Sequence, residues 1–224
     1  MGPWDIMSQH FIERTKPPQG ISSFTKIKLG WISPEQALQV DPGNTQCVFL
    51  SPLSKGGKTL AVKIPIKQNN VWNHFYLVEN RQPVGYDQLL PDNGLLILKV
   101  NLDSKEGSGT VKVMDAAPGS RNFSHATFKL GENNRNRFID KKNNVAIIPL
   151  WSEKGNQGVL ITTPEKSSDA LKAALLIREL FQRFPEPRNK KQEQFIKACV
   201  TYFKRSDFET WYQTAHDAIK LKID

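Results

Sequence analysis

The stretch that decides the fold runs from Thr59 to Glu79 and reads TLAVKIPIKQNNVWNHFYLVE. Its two ends, Thr59–Ile66 and Phe75–Glu79, are short runs rich in β-branched, aromatic and other apolar residues. Runs of this length and composition are typical of strands that are buried on at least one face. The stretch therefore predicts two strands.

Working outward from this pair, five more runs of the same kind precede and follow it. They are Gln46–Leu50, Gly94–Val100, Thr110–Met114, Asn144–Leu150 and Gly158–Thr162. Turn signals separate the runs at Lys55–Gly57, Pro91–Gly94, Gly107–Gly109 and Gly155–Asn156. Seven short strands without intervening helical patterns predict a mainly β fold, an antiparallel β-sandwich or barrel over residues 45–163. We take the sandwich as the prediction.

The pattern changes to helical spacing over residues 167–224, which predicts a C-terminal helical region. The first predicted helix has Ser168 as its cap, ends at Pro185-Glu186-Pro187 and carries the stripe Leu171, Ala174, Ile177, Phe181 and Phe184. The second is marked by Phe195, Cys199, Tyr202 and Phe203. The third opens with capping-box spacing at Ser206–Glu209 and carries Trp211, Ala215 and Ile219. Such stripes favour a helical core, packed on itself or on the sandwich, over a cofactor site.

Composition indicates a soluble globular protein. The 224 residues are 38% hydrophobic and 24% charged. No apolar run approaches the ~18 to 20 residues of a membrane span, and the amino terminus has no signal-peptide pattern. The net charge of +9 is spread along the chain without a basic run, which favours a solvated basic surface over nucleic-acid binding. Two cysteines form no metal motif; we expect Cys199 to be a buried thiol, with a bridge to Cys47 as the alternative.

The amino-terminal residues 1–40 are rich in loops, with one short helix predicted from a cap at Ser22 or Ser23 to Gly30. Residues 2–8 read GPWDIMS, and residues 22–32 read SSFTKIKLGWI. This pair of elements resembles the immune inhibitor A family of secreted zinc metallopeptidases, in which a Trp-Asp-x-Met element follows the zinc-binding helix. Segments at 76–91, 94–97, 111–116 and 143–147 continue the resemblance in order.

The resemblance implies that residues 1–40 are the Met-turn remnant of a metzincin-like catalytic domain. Trp4, Asp5 and Met7 then form the Met-turn, which has a structural role beneath the metal. From its residue type alone, we expect Asp5 to cap or to hydrogen-bond its own turn. It also implies an extracellular protein whose parent hydrolyses peptide bonds with zinc, and calcium is a further candidate cofactor of that parent.

The zinc site itself is missing from this sequence. The family needs His-Glu-x-x-His on a helix, so that two histidines on one face reach the same metal. The four histidines are His10, His74, His125 and His216; none precedes a glutamate, and no two lie within a helical turn. We expect the zinc-binding helix to precede Met1, this chain to hold no cofactor and to be inactive alone, and its missing catalytic half to be one partner.

Other chemistry receives less support from the sequence. A lone loop residue such as His10 is more often solvated than catalytic. Five acidic residues flank turns and are better explained as solvated turn residues than as calcium ligands: Glu79, Asp87, Asp92, Asp115 and Asp140.

Two alternatives stay open. One is a stand-alone sandwich that binds a protein or glycan partner through Trp72, Tyr76 or Trp151, although packing is favoured for these aromatics. The other is a helical tail that docks another protein. In the resemblance, residues 1–40 belong to a catalytic domain whose other half is missing from this sequence. We therefore predict that this segment, with Phe11, Ile12, Phe24 and Ile27, is mobile or packs on the sandwich in an atypical way.

Overall fold

The computed structural model describes residues 1–8, 18–68, 71–105, 108–205, 208 and 212. Within these residues the nine strands are β1 (Ala37–Gln39), β2 (Gln46–Leu50), β3 (Ala61–Gln68), β4 (Val71–Arg81), β5 (Gly94–Asn101), β6 (Val111–Val113), β7 (Phe138–Asp140), β8 (Val145–Glu153) and β9 (Asn156–Thr162). The α-helices are α1 (Ser23–Lys28), α2 (Ser167–Arg183) and α3 (Lys190–Lys204). Short 3-10 turns include Gly2–Trp4 and Ile6–Ser8.

The strands form two sheets. Sheet A has the order β1-β3-β4-β5-β6, and sheet B has the order β2-β9-β8-β7. A mainly β sandwich with helices at its carboxyl end is therefore confirmed, and the barrel alternative is excluded because the two sheets are separate. The named strands within residues 45–163 all pair antiparallel, as predicted, and the one parallel pair of named strands involves β1, which lies before this range. Strand β1 pairs with β3 in parallel, with Ala37 beside Ala61.

The core lies between the two sheets. Alternate residues of each strand point inward, as the two-residue period of a strand requires. Sheet A contributes fully buried side chains such as Val62 and Ile97, and sheet B contributes others such as Ile147 and Ile161. Tyr76 belongs to this core as well.

The outer face of sheet B is covered by α2 and α3. Their apolar side chains join Ile148 and Leu160 in a second buried cluster, so the predicted packing of the helices on the sandwich is confirmed. Two details of the helix prediction are wrong. Helix α2 begins at Ser167 and not after a Ser168 cap, because the Ser167 hydroxyl donates to the Pro164 carbonyl at the turn that leads into the helix. Tyr202 lies on the solvent side of α3.

The third predicted helix, with Trp211, Ala215 and Ile219, lies outside the described residues except at positions 208 and 212. Phe208 is buried against Phe203 of α3.

Cys199 is buried in the same cluster, as predicted, whereas Cys47 carries a free thiol, so the alternative of a disulfide between them is wrong. Burial raises the pKa of the Cys47 thiol to about 12. No helix among the described residues is long and apolar enough to span a membrane.

The outer face of sheet A is covered by the amino-terminal segment. Trp4 packs there on Leu77, Leu96 and Leu98, and the half-buried side chains of Phe24 and Ile27 lie against the same cluster. In the described part of residues 1–40, Trp4, Phe24 and Ile27 therefore pack on the sandwich, and that this packing is atypical of the family stays a prediction. Phe11 and Ile12 lie outside the described residues. The assignment of residues 1–40 to a remnant catalytic domain stays a prediction.

Candidate functional site

The amino-terminal turn that carries the family resemblance is anchored by two buried side chains, those of Trp4 and Asp5. Two short 3-10 turns flank Asp5, whose backbone is extended at φ −152° and ψ 124°. The indole of Trp4 is fully buried, and its Nε1 donates to the carbonyl of Phe123 at 2.8 Å. An indole that is buried with its N–H satisfied forms a rigid anchor, because both its apolar ring and its donor are in place.

The carboxylate of Asp5 ties this turn to α1. Its Oδ1 accepts a hydrogen bond from the backbone N–H of Met7 at 2.9 Å, which confirms the predicted hydrogen bond within the turn. Its Oδ2 accepts from the backbone N–H of Ser22 at 3.0 Å and from the hydroxyl of Thr25 at 3.1 Å. Asp5 thereby joins residue 7 to the start of α1, where the Ser22 hydroxyl accepts from the N–H of Thr25 as the helix cap.

Beneath the turn, Arg81 of β4 is fully buried with all five of its donors in use. Its Nε and Nη2 donate to the carboxylate of Asp87 at 3.0 and 2.8 Å, a bidentate pair. Its Nη1 donates to Glu79 at 2.9 Å and to the carbonyl of Trp4 at 2.7 Å. The remaining Nη2 donor reaches the carbonyl of Gly20 at 3.4 Å. Burial opposes the charged guanidinium, but the carboxylates of Glu79 and Asp87 outweigh it, so the pKa of Arg81 is raised.

The two carboxylates paired with Arg81 also accept from the amino-terminal segment. Glu79 accepts from the backbone N–H of Ser23 at 2.7 Å, at the first residue of α1. Asp87 accepts from the N–H of Gly20 at 3.0 Å. We call Glu79, Arg81 and Asp87 the buried ionic cluster. Its hydrogen bonds join β4 and the turn that follows it to Trp4, Gly20 and Ser23, so these amino-terminal residues are held by directional contacts as well as by apolar burial.

Met7 contrasts with the residues around it. Its backbone is held by Asp5, yet its side chain is 76% exposed. Trp31, in the segment that follows α1, is also exposed. The structure therefore holds the three predicted residues differently: Trp4 and Asp5 are buried anchors, and Met7 projects from them.

The acidic residues considered for calcium are used in other ways. The prediction that Glu79 and Asp87 are solvated turn residues is wrong. Both side chains are buried, because each forms an ion pair with the buried Arg81. Asp92 is paired with Lys129 and Arg135. Burial acts to raise the pKa of Asp92, but its hydrogen bonds, led by those from Lys129 and Thr127, together outweigh burial, so the pKa is lowered.

The other two acidic positions are satisfied by nearby donors. Asp140 accepts from the hydroxyl of Tyr76 at 2.7 Å, and Asp115 accepts from the backbone N–H of Ala117 at 2.9 Å. Among the described residues no group of three or more His, Cys, Asp or Glu side chains is arranged to hold a metal ion.

The histidines and aromatic residues are dispersed. His10 and His216 lie outside the described residues. His74 is buried with its Nε2 at 3.2 Å from Asp103, and His125 is exposed. Tyr76 and Trp151 are buried in packing roles, so they are excluded from a binding face, whereas Trp72 is exposed.

Arg81 is the residue that sequence reasoning missed. Along β4 the residues on the face toward Trp4 are Phe75, Leu77, Glu79 and Arg81. An acid and a base two positions apart, continuing an apolar strand face, are a signal for a buried ion pair.

No protein-family model, no characterised protein and no solved structure matches this chain.

Proposed function

We propose that this chain is the part of an immune inhibitor A-like secreted zinc metalloprotease that follows the zinc-binding helix, and that it has no peptidase activity alone. The observation that carries the proposal is the turn at Trp4, Asp5 and Met7. A Met-turn needs a fixed backbone and a methionine that is presented to the rest of the catalytic domain. Here Asp5 and Trp4 hold the backbone, and the side chain of Met7 is exposed.

The residues of this chain do not fit the family's zinc site, so no catalytic step is assigned to them. The sequence has no His-Glu-x-x-His, and His74 and His125 lie on different elements with separate acidic neighbours. The proposed contribution of this chain is therefore scaffolding. The exposed side of the Met7 turn would receive the part that carries the zinc-binding helix, and the sandwich would support the turn from below through Arg81.

The test is to isolate the native protein from its source and to measure its intact mass and its zinc-dependent hydrolysis of casein. We expect a mass well above 25.4 kDa, upstream peptides that contain His-Glu-x-x-His, and activity that a zinc chelator abolishes. The purified 224-residue chain should show no such activity. A native mass near 25.4 kDa, or zinc-dependent caseinolysis by the chain itself, would contradict the proposal.

A matched pair of variants in the native protein examines the turn directly. Asp5→Ala removes the acceptor for the Met7 N–H and should lower caseinolysis about tenfold or more, since a hydrogen bond to a charged group is worth about 1.5–3 kcal/mol. Asp169→Ala, on the exposed side of α2, removes a carboxylate far along the chain and should leave activity unchanged. Equal activities of the two variants would show that the Asp5 turn has no role in the enzyme.

A further inference from the structure

A cleft at the edge of sheet A is separate from the Met7 turn. It has a volume of about 580 Å³ and is lined by Gln39, Asp41, Pro42, Lys63, Pro65 and Trp72. These residues come from the end of edge strand β1 and the loop that follows it, from β3 and from the start of β4. A volume of this size lies within the range of about 300–1,000 Å³ that is usual for small-ligand sites.

The lining combines flat apolar rings with hydrogen-bonding groups of both kinds. The indole of Trp72 is 59% exposed, and Pro42 and Pro65 add further ring surface. Gln39 can donate and accept, and its Nε2 already donates to the Asp41 carboxylate at 3.2 Å, which orients the pair. Lys63 adds an ammonium donor, held 4.7 Å from the ring centroid of Phe75.

The charges in the cleft indicate a neutral ligand. Asp41 and Lys63 carry opposite formal charges, so the lining has no excess cation to attract a sulfated or acidic ligand, although the whole chain has a net charge of +9. A neutral ligand with an apolar face and a rim of hydroxyl groups matches this lining. The ring of a sugar has that form, because its C–H groups stack on an indole while its hydroxyls both donate and accept.

The cleft continues along the strand. A second cleft of about 750 Å³ shares Gln39 and Lys63 with the first and extends past Ala37 toward Ile32 and Pro34. A ligand longer than one ring therefore has room along β1. A peptide strand added to the sheet edge fits less well, because β1 has only three residues and Pro42 follows soon after it, leaving few backbone groups to pair.

We propose that the Trp72 cleft binds a neutral β-linked oligosaccharide of hexose or N-acetylhexosamine units, which stacks on Trp72 and is hydrogen-bonded by Gln39, Asp41 and Lys63. Sugars joined by β-1,4 linkages form flat, ribbon-like chains with exposed C–H faces, and a cleft that follows a strand accommodates such a ribbon. This site is independent of the proposed protease role, since neither Met7 nor the buried ionic cluster lines it.

The experiment is an NMR titration of the full chain with ¹⁵N-labelled tryptophan, using cellotriose, chitotriose and β-mannotriose as probes. The indole N–H signal of Trp72, assigned from Trp72→Ala, should shift and saturate for at least one probe, with a Kd on the order of 1 mM or tighter. The signal of Trp31, which is 65% exposed but does not line the cleft, should stay in place.

Variants measured by a titration of the uniformly ¹⁵N-labelled chain, followed on backbone amide signals that report binding without Trp72, separate this site from surface binding. Trp72→Ala and Asp41→Ala should each weaken binding about tenfold, and Trp31→Ala should leave the Kd unchanged. Circular dichroism checks that each variant is folded, which we expect because these side chains are not core residues. The idea is overturned if no probe shifts Trp72 at concentrations on the order of 10 mM, or if Trp72→Ala retains affinity.

Two comparison probes could each overturn the oligosaccharide proposal in another way. Binding of a heparin tetrasaccharide alone would mean charge attraction to the basic surface, and binding of a capped Val-Thr repeat peptide alone would mean strand addition at β1.

Discussion

The two outer faces of the sandwich are covered in different ways. On sheet B the cover consists of α2 and α3, which contribute apolar side chains such as Leu180 and Phe203 to a buried cluster. On sheet A the cover is the amino-terminal segment, which combines the buried indole of Trp4 with the buried ionic cluster around Arg81. One cover is held mainly by apolar burial, and the other also depends on directional hydrogen bonds between charged groups.

This difference determines which substitutions each cover tolerates. Apolar packing tolerates substitutions that preserve volume, because burial of surface is not directional. A buried ion pair does not tolerate the loss of one partner, because the charge that is left behind remains desolvated. The amino-terminal cover should therefore be the more sensitive to single polar substitutions, and the helical cover to the loss of volume.

The largest effect is expected for Arg81→Met. This change leaves Glu79 and Asp87 buried without the guanidinium that satisfies them, and breaking a buried pair costs about 3–5 kcal/mol. We expect a loss of about 4 kcal/mol in the free energy of unfolding measured with urea. The matched control is Lys172→Met, which removes an exposed ion pair with Asp169 and should cost no more than about 1 kcal/mol. Similar losses for the two variants would mean that the buried ionic cluster contributes no more than a surface pair.

A somewhat smaller effect is expected for Leu180→Ala in α2. Leu180 is buried in the cluster under the helices, and deleting a buried leucine side chain costs about 2–5 kcal/mol through lost burial and the cavity that remains. We expect about 3 kcal/mol by urea unfolding. Leu171→Ala, at a half-buried position of the same helix, should cost distinctly less. If Leu171→Ala proved as damaging as Leu180→Ala, our account of which face of α2 is the buried one would be wrong.

The smallest effect concerns pH on the sheet A side. The pKa of Asp92 is lowered in the folded protein, so as the pH falls the unfolded chain takes up the proton first. The stability from Asp92 is therefore present above the ordinary aspartate pKa of about 3.9 and is lost as the pH falls through the lower folded value. Asp92→Asn should flatten the stability profile in this acid range, by about 1 kcal/mol in urea unfolding. An unchanged acid slope would contradict the assignment.

The strands were predictable where they were long enough to carry a pattern. All seven predicted runs are strands, because each has enough apolar residues to be recognised as a buried element. Strands β1 and β7 were not predicted, because neither lies in a run like Thr110–Met114, whose alternating apolar residues marked the equally short β6. The parallel pairing of β1 with β3 was also unpredictable, because strand direction depends on how a loop returns to the sheet.

The candidate site was predictable only in part. The local hydrogen bond of Asp5 follows from its residue type and position, and it was predicted. The contacts of Asp5 with Ser22, of Glu79 with Ser23 and of Arg81 with Trp4 join residues that are far apart in sequence. Such contacts exist only when two segments meet in space, so Glu79 was interpreted as a solvated residue when it is fully buried.

The sequence by itself determined the mainly β fold, the change to helices at residue 167 and a local cap at Ser22 or Ser23, of which the structure uses Ser22, because periodicity and capping act over a few neighbouring residues. Only the tertiary structure decided which charged side chains are buried. A carboxylate such as Asp87 is solvated in a free turn, but it becomes part of the interior when Arg81 and the amino-terminal segment close over it. The same closure buries Trp4 and presents Met7, since the environment of a side chain is set by whatever packs against it.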